Sequence, residues 1–198
     1  MKRIIFATTN EDKMDEIRDI LKDINVEVLS LKDIGFNTRI EENGSTFEEN
    51  AIIKAKAVME ITGDMVLADD SGLEVDYLGK APGIYSARFL GEDTSYDVKN
   101  QYIIDKLADI EGEDRSARFV CVIALAMPNG EIISKRGTIE GYIADKICGE
   151  NGFGYDPIFY VPKYGRTTAE LSPEYKNQIS HRGIALSAMK EEILKKIK

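Results

Sequence analysis

Alternating strand and helix patterns in the first 31 residues constrain the fold more than any other feature of the chain. Apolar runs predict one strand over residues 4–8 and a second over residues 26–31. Between them, residues 13–21 place Ile17, Ile20 and Leu21 on one face of a helix. The order strand, helix, strand indicates the start of an α/β fold.

The remaining patterns continue as one predicted domain over residues 1–198. A second helix is expected to begin at Thr46, because Thr46 and Glu49 have the spacing of a capping box. A short apolar strand is predicted over residues 65–68, directly before Asp69. Asn129-Gly130 suits a tight hairpin that would extend the sheet. The other predicted elements are hairpin strands at 118–127 and 131–144, a strand at 158–161, and helices at 172–178 and 182–197.

Charge limits the classes of partner. The chain has 26 Lys and Arg against 35 Asp and Glu, a net charge of -9. Non-specific nucleic-acid binding depends on cations that neutralise phosphates, so no nucleic-acid partner is expected. A small anionic substrate would need a metal ion and a local group of Lys and Arg.

The sequence predicts no export or membrane segment. Near residue 1 only four apolar residues, 4–7, follow a basic pair, which is too short for a signal-peptide core. No stretch approaches the ~20 apolar residues of a membrane helix. Cys121 and Cys148 lie far apart without a CxxC pair, so neither a disulfide framework nor a zinc site is expected. We predict a cytoplasmic protein with no membrane partner.

The segment after the first predicted strand is a candidate phosphate loop. It consists of Thr8-Thr9-Asn10-Glu11-Asp12-Lys13 and opens the first predicted helix. Backbone N–H groups and the positive end of the helix dipole favour phosphate there. Lys13 adds a compact positive charge. The alternative is a polar turn capped by Asn10, with no ligand.

Two neighbouring acids follow the strand predicted at 65–68. Asp69-Asp70-Ser71-Gly72 places them at the carboxyl end of that strand, where ligands often bind in α/β sheets. Magnesium prefers such oxygen ligands. Since successive strand residues point to opposite faces, one acid is expected to be chemical and the other structural. The alternative is a turn in which Asp and Ser bond to nearby backbone.

Further candidates come from the second helix and the loop before it. Glu41 or Glu42 could supply another metal ligand, and Lys54 could reach a phosphate. The alternative for all three is an ordinary solvated side chain.

A glycine-rich segment near the end of the chain is a candidate nucleobase site. It consists of Gly152-Phe153-Gly154-Tyr155-Asp156-Pro157. Glycine permits close approach to a planar ligand, an aromatic ring can stack on it, and Asp156 could accept a hydrogen bond from the base. The alternative is a tight turn whose aromatic rings enter the core.

Lys176, Ser180, His181 and Arg182 form a polar group between the last two predicted helices. His181 is the chain's single histidine. Neighbouring cations disfavour its protonation, so it is interpreted as a neutral hydrogen-bonding group rather than a general base.

Six motifs occur in order along nearly the whole chain: Ala7-Thr8-x-Asn10-x-x-Lys13, Thr46-Phe47-x-Glu49-Asn50-Ala51-x-x-Lys54-Ala55, Ala68-Asp69-Asp70-Ser71-Gly72-Leu73, Ala81-Pro82-Gly83-Ile84-Tyr85-Ser86-Ala87-Arg88, residues 152–156, and Ile179-Ser180-His181-Arg182. In this combination the chain resembles the inosine triphosphate pyrophosphatase family, also called the Ham1 or non-canonical purine nucleoside triphosphate pyrophosphatase family.

The resemblance implies a fold and an activity. The fold is α/β, with an elongated mixed central β-sheet flanked by helices and a nucleotide cleft between two lobes. The activity is hydrolysis of ITP, dITP and XTP to a nucleoside monophosphate and pyrophosphate, which keeps deaminated bases out of DNA and RNA. A Mg²⁺ cofactor and a homodimer are also implied.

The resemblance assigns roles to individual positions. Glu41 and Asp70 would bind metal, and Asp70 would be the catalytic base. Many members have Gly where this chain has Thr9, whose side chain would crowd the phosphate loop. Together with Lys54, the residues expected to contact substrate are Thr8, Thr9, Asn10, Glu11, Asp12, Lys13, Ser71, Phe153, Gly154, Tyr155, Asp156, Lys176, His181 and Arg182.

Two other functions remain open from the sequence. One is a Maf-like pyrophosphatase that acts on modified or pyrimidine nucleotides. The other is a nucleotide-binding module without turnover, whose distinguishing feature would be loss of the Asp70 and Glu41 carboxylates. Both carboxylates are present.

Overall fold

Seven strands form one mixed sheet in the structure, a computed structural model that describes residues 2–197. The strands are β1 Lys2–Phe6, β2 Val26–Ser30, β3 Met65–Val75, β4 Ser116–Ala126, β5 Ile132–Ile143, β6 Phe159–Val161 and β7 Arg166–Thr167. The helices are α1 Glu11–Leu21, α2 Phe47–Thr62, α3 Tyr96–Lys106, α4 Pro173–Ile179 and α5 His181–Lys196. In this part of the chain no helix is long and apolar enough to cross a membrane.

The order of the strands in the sheet is β2-β1-β3-β4-β5-β6-β7. β1 pairs in parallel with β2 and β3, whereas β6 pairs antiparallel with β5 and β7. The predicted mixed sheet flanked by helices is therefore confirmed.

The chain divides into two compact units. The first contains the described residues up to Asp70, then Cys121–Gly137, then those from His181 onward. The second contains Ser71–Val120 and Thr138–Ser180. That the two units act as a single domain, with a nucleotide cleft, stays a prediction.

The first unit is held together by helices α1 and α5. Met14, Ile17 and Leu21 of α1 are buried and belong to the same apolar cluster as Leu186 and Met189 of α5. The predicted face of α1 is confirmed, with Ile20 partly buried at its margin. Each such buried side chain stabilises the fold by about 1.5–3 kcal/mol.

Two local predictions around turns are confirmed. Thr46 is the N-cap of α2, and its side chain accepts a hydrogen bond from Glu49 N at 3.1 Å. The Glu49 carboxylate bonds to Ser45 N instead of completing the capping box. The β4–β5 hairpin is closed by Gly130 N, which donates to Met127 O at 2.9 Å.

The predicted end of the third strand is wrong. β3 does not stop at residue 68 but continues to Val75, so Asp69-Asp70-Ser71-Gly72 lies inside the strand. β1 pairs with β3 only as far as Leu67, whereas β3 has β4 as its other neighbour. Asp69 and Asp70 therefore lie just past the carboxyl end of β1, although not at the end of their own strand.

Helix α3 has no clear signal in the sequence. Its Ser95 N-cap accepts from Val98 N, but polar side chains lie on the buried face of its first turns. Lys99 and Asn100 are buried, whereas Val98 is more than half exposed. The buried face is apolar only from residue 103 onward, which leaves a short apolar stripe for a sequence pattern to detect.

Candidate active site

The loop after β1 is organised by its own side chains. Thr8 Oγ1 accepts from Asn10 N, and Asn10 Oδ1 accepts from Lys13 N, each at 3.1 Å. Asn10 is thus the N-cap of α1, which begins at Glu11. Thr9 is exposed and does not have a positive φ, so the backbone there does not require glycine. Glu11 and Asp12 lie in the first turn and are exposed.

Asp69 is a buried carboxylate held by two cations. Lys13 Nζ contacts its two oxygens at 2.7 and 2.9 Å, and Arg182 contacts Oδ2 at 3.4 Å. Arg182 is itself buried, and its other terminal nitrogen, Nη1, donates to Glu16. Burial would raise the pKa of Asp69, but the charges of Lys13, Arg182 and Lys54 outweigh it and hold that pKa far below its usual range. Asp69 is therefore a permanently charged anchor.

Asp70 lies in a different environment. Its Oδ1 is 3.2 Å from Lys54 Nζ, and its Oδ2 accepts from Asn50 Nδ2 at 3.3 Å. Burial raises the pKa of Asp70; Lys54 opposes this rise, and the negative charge of Glu42 adds to it. A carboxylate with a raised pKa is a stronger proton acceptor than an ordinary one.

Asn50 sets the geometry of Asp70. It is fully buried, and while its amide nitrogen donates to Asp70, its Oδ1 accepts from Gly44 N at 2.9 Å. A Cβ at Gly44 would lie 2.7 Å from that Oδ1, so only glycine permits the turn to approach Asn50 this closely. Asn50 belongs to the second of the six sequence motifs, but its contact with Asp70 is visible only in the structure.

Glu42 is the acidic residue that shares the Lys54 ammonium with Asp70. Glu42 Oε2 lies 3.1 Å from Lys54 Nζ. The neighbouring Glu41 is exposed. The charges of Asp70, Asp69 and Glu42 overcome the effect of burial and raise the pKa of Lys54, which keeps its ammonium protonated. The sequence alone does not show which of Glu41 and Glu42 contacts Lys54.

The oxygens around Lys54 fit a hard divalent cation. Among residues 2–197, no group of three or more His, Cys, Asp or Glu side chains is placed to hold a metal ion. Magnesium, however, commonly binds one or two carboxylates and completes its shell with phosphates and water. Asp70 and Glu42, already gathered around one cation, have that chemistry.

The second unit contains an independent polar cluster around Asp156. Its Oδ2 accepts from Lys176 Nζ at 2.7 Å and from Phe153 N at 2.8 Å, while Oδ1 accepts from Thr168 Oγ1 at 2.8 Å. Asp156 and Lys176 are both buried. Lys176 Nζ also lies 4.8 Å from the centre of the Phe153 ring. The cluster presents a carboxylate, an ammonium and an aromatic ring together.

Glycine is required at the start of this segment, residues 152–156, which we call the base loop. Gly152 has φ +76°, and a Cβ there would lie 2.3 Å from Asp156 Oδ2. Tyr155 is buried rather than available for stacking, and its hydroxyl donates to Ser86 O at 2.8 Å. Of the two aromatic rings in the loop, Phe153 is therefore the more accessible.

The remaining predicted site residues are also located. His181 is the first residue of α5 and is buried, and its carbonyl is so close to Gly137 that a Cβ there would lie 2.1 Å away. Ser71 is half-buried in β3. Arg182 and Lys13 are thus brought together on Asp69, while Lys176 is brought to Asp156.

The strand topology makes this an α/β protein, and its candidate site combines a buried carboxylate pair in opposed environments with a separate carboxylate–ammonium cluster. The Ham1 family model matches residues 4–192. This chain belongs to the Ham1 family.

Relatives with known names are similar over almost the whole chain. A dITP/XTP pyrophosphatase of Bacillus licheniformis is 49% identical over 189 residues, which cover 96% of each chain. One from Caldanaerobacter subterraneus is 48% identical over 198 residues, covering 100% of this chain and 98% of the relative. The solved Ham1 protein of Coxiella burnetii aligns with a TM-score of 0.90 at 43% identity and covers 98% of this chain and 100% of its own.

Proposed function

We propose that this chain hydrolyses non-canonical purine nucleoside triphosphates, ITP, dITP and XTP, to the nucleoside monophosphate and pyrophosphate. The observation that carries the proposal is the contrast between Asp69 and Asp70. Neighbouring carboxylates whose environments drive their pKa values apart are the usual basis of acid–base assignments in active sites. Relatives named dITP/XTP pyrophosphatase support the substrate class and give no support to the Maf-like or non-catalytic alternatives.

The reaction is an in-line displacement at the α-phosphorus. A water oxygen bonds to that phosphorus while the bond to the bridging oxygen breaks, and the electron pair leaves with pyrophosphate. Asp70 accepts a proton from the attacking water, a role that contributes about 10²–10⁴-fold in rate. Asn50 and Lys54 hold the accepting carboxylate in place.

Mg²⁺ is the proposed cofactor, with Asp70 and Glu41 as ligands by family resemblance. The position of Glu42 beside Lys54 adds it as a further ligand candidate. When bound, the ion would neutralise charge on the phosphates. Lys54 supplies positive charge in the same place, as the net charge of -9 requires for an anionic substrate.

Triphosphate binding is proposed for the loop after β1 and for Ser71. Its members are Thr8, Thr9, Asn10, Glu11, Asp12 and Lys13. The N-terminal N–H groups of α1 favour an anion there. Lys13 is paired with Asp69, so in our proposal its charge orders the site as well as attracting phosphate.

Base selection is proposed for the cluster around Asp156, which includes Phe153, Gly154, Tyr155 and Lys176. A role in substrate binding is proposed for His181 and Arg182 from the family resemblance alone. Hypoxanthine and xanthine carry an N1–H donor beside a 6-keto acceptor, whereas adenine reverses both. Asp156 accepts from N1–H and the adjacent Lys176 ammonium donates to the keto oxygen. Adenine would offer Asp156 no donor at N1 and Lys176 no acceptor at position 6, so it would be bound less well.

A homodimer in the cytoplasm is the proposed state of the protein. The dimer rests on the family resemblance. The cytoplasmic location rests on the sequence, in which Cys121 and Cys148 lie far apart without a CxxC pair. No nucleic-acid or membrane partner is proposed.

The test is a measurement of pyrophosphate release from ITP, dITP, XTP, GTP, ATP and pyrimidine triphosphates, with magnesium and with a chelator. We expect the three non-canonical purines to react fastest and the chelator to abolish release. A pyrimidine preference would instead support the Maf-like function. Binding without release from any triphosphate would support the non-catalytic module.

A further inference from the structure

The motif Ala81-Pro82-Gly83-Ile84-Tyr85-Ser86-Ala87-Arg88 has no role in the proposed chemistry, yet Ser86 is buried at a junction of hydrogen bonds. Its Oγ accepts from Leu73 N at 2.9 Å and donates to Gly83 O at 2.6 Å. Its carbonyl accepts from the Tyr155 hydroxyl at 2.8 Å. One residue thus connects β3, two positions after Ser71, to the base loop.

Helix α3 holds both of these segments through consecutive residues. Lys99 Nζ donates to Ala87 O at 2.7 Å, and Asn100 Nδ2 donates to Gly154 O at 3.0 Å. Tyr96 of the same helix packs edge-on against Tyr155, with ring centres 5.2 Å apart. Both polar side chains are 1% exposed.

These buried polar groups are costly as packing elements. Asn100 Oδ1 is buried and has no hydrogen-bond partner within the described part of the chain. If the Asn100 amide were reversed, its oxygen would lie against the Gly154 carbonyl oxygen, and the two oxygens would repel each other. A buried acceptor without a partner destabilises a fold, and such exceptions in native proteins call for an explanation. An apolar residue of the same shape would pack without that penalty.

We propose that Ser86, Lys99 and Asn100 are positioning residues that fix the base loop and thereby determine base selectivity. The inference rests on the proposed function, because it takes the base loop as the element that reads the purine. Through Gly154 and Tyr155, these residues hold the two consecutive loop positions that lie between Phe153 and Asp156. A loop held in this way presents Asp156 and Lys176 in one arrangement, so an adenine cannot be accommodated by a shift of the loop.

The test compares Asn100→Leu with Gln101→Leu in the full-length protein. Gln101 is an exposed neighbour on α3 whose side chain donates to Asp105 of the same helix, and so is a matched control. Two quantities are measured: the ratio of kcat/KM for ITP to that for ATP, and hydrogen exchange of the Phe153 and Asp156 amides. Both amides are hydrogen-bonded inside the loop.

In Asn100→Leu we expect exchange of these amides to accelerate and the ITP/ATP ratio to fall about five- to tenfold, mainly through KM for ITP. The melting temperature should stay within about 2 °C of the wild type, since the lost bond is offset by removal of the unpartnered oxygen. Gln101→Leu should change none of these quantities. A purely structural role for Asn100 would instead lower the melting temperature and leave the ratio unchanged.

Unchanged exchange, or an unchanged ratio, would overturn the inference. If Asn100→Leu does not fold, Tyr155→Phe decides in its place, because it removes only the hydroxyl bond to Ser86 and should lower the same ratio. A wild-type protein that hydrolyses neither nucleotide would overturn the proposed function, and with it this inference. That outcome is recognised from the wild-type and Gln101→Leu measurements alone.

Discussion

Asp69 and Asp70, consecutive residues of β3, contact two different lysines. Lys13 Nζ lies 2.7 Å from Asp69, and Lys54 Nζ lies 3.2 Å from Asp70. The alternation of side chains along a strand separates the two carboxylates, so each can have its own partners and its own pKa. One carboxylate is a fixed charge, and the other is available to the reaction.

Asp70→Asn should fold normally and lose about 10²-fold or more in kcat for ITP, because the amide cannot accept the proton from water. Steady-state kinetics and a thermal melt test this directly. Asp109→Asn, at an exposed position, is the control. Near-normal turnover in Asp70→Asn would exclude Asp70 as the base.

Asp69→Asn should be destabilised by about 3 kcal/mol at neutral pH, since the change leaves Lys13 and Arg182 without their buried anion. The pKa of Asp69 is lowered in the folded state, so its contribution is present above its unfolded pKa of about 3.9 and is lost as the pH falls further. Urea unfolding should therefore show a constant difference between wild type and variant from about pH 7 to pH 5, and a smaller one near pH 3. A difference that grows on acidification would contradict the assignment.

Lys54→Gln should move the acidic limb of the pH profile of kcat/KM to higher pH. The Lys54 charge opposes the rise in the pKa of Asp70 caused by burial, so its removal raises that pKa further. The base is then protonated over a wider acidic range. Lys56→Gln, exposed on the same helix, should leave the limb in place. A limb that moves to lower pH in Lys54→Gln would disprove this electrostatic role.

Glu42→Gln should raise the magnesium concentration needed for half-maximal activity about tenfold or more, the scale on which neighbours of a bound metal act. Glu41→Gln, at the ligand position that the family resemblance gives, should raise it by a similar factor, because both carboxylates are proposed metal ligands. Magnesium titrations of both variants provide the comparison. A larger effect in Glu41→Gln would assign the metal to Glu41 alone.

Gly152→Ala should lower the ITP/ATP selectivity about tenfold, because its Cβ would displace the Asp156 carboxylate. Gly79→Ala is the matched control: Gly79 also has a positive φ, but its Cβ would meet nothing within 4 Å. Both variants should lose about 1 kcal/mol of stability from backbone strain. If Gly79→Ala lowers the ITP/ATP selectivity as much as Gly152→Ala does, backbone strain and not the collision with Asp156 explains the loss.

Short-range patterns predict much of the fold. The caps at Asn10 and Thr46, the Asn129-Gly130 turn and the buried face of α1 all depend on residues a few positions apart. Such local interactions are present in the sequence itself, and for this reason their predictions agree with the structure.

Features that depend on contacts between distant parts of the chain are not predicted by these short-range patterns. β3 passes through Asp69 and Asp70 because β4 lies beside it, and α3 forms although its buried side includes Lys99 and Asn100. Neither feature has a long periodic apolar signal, since each depends on neighbours supplied by distant parts of the chain.

By itself, the sequence determined that Asp69 and Asp70 would face opposite ways, because strand geometry alternates at every residue. Only the tertiary structure decided their partners. Lys13 is 56 positions from Asp69, and Arg182 is 113 positions from it. A carboxylate becomes an anchor or a base through the charges and burial around it, and at such separations these are fixed only when the chain has folded.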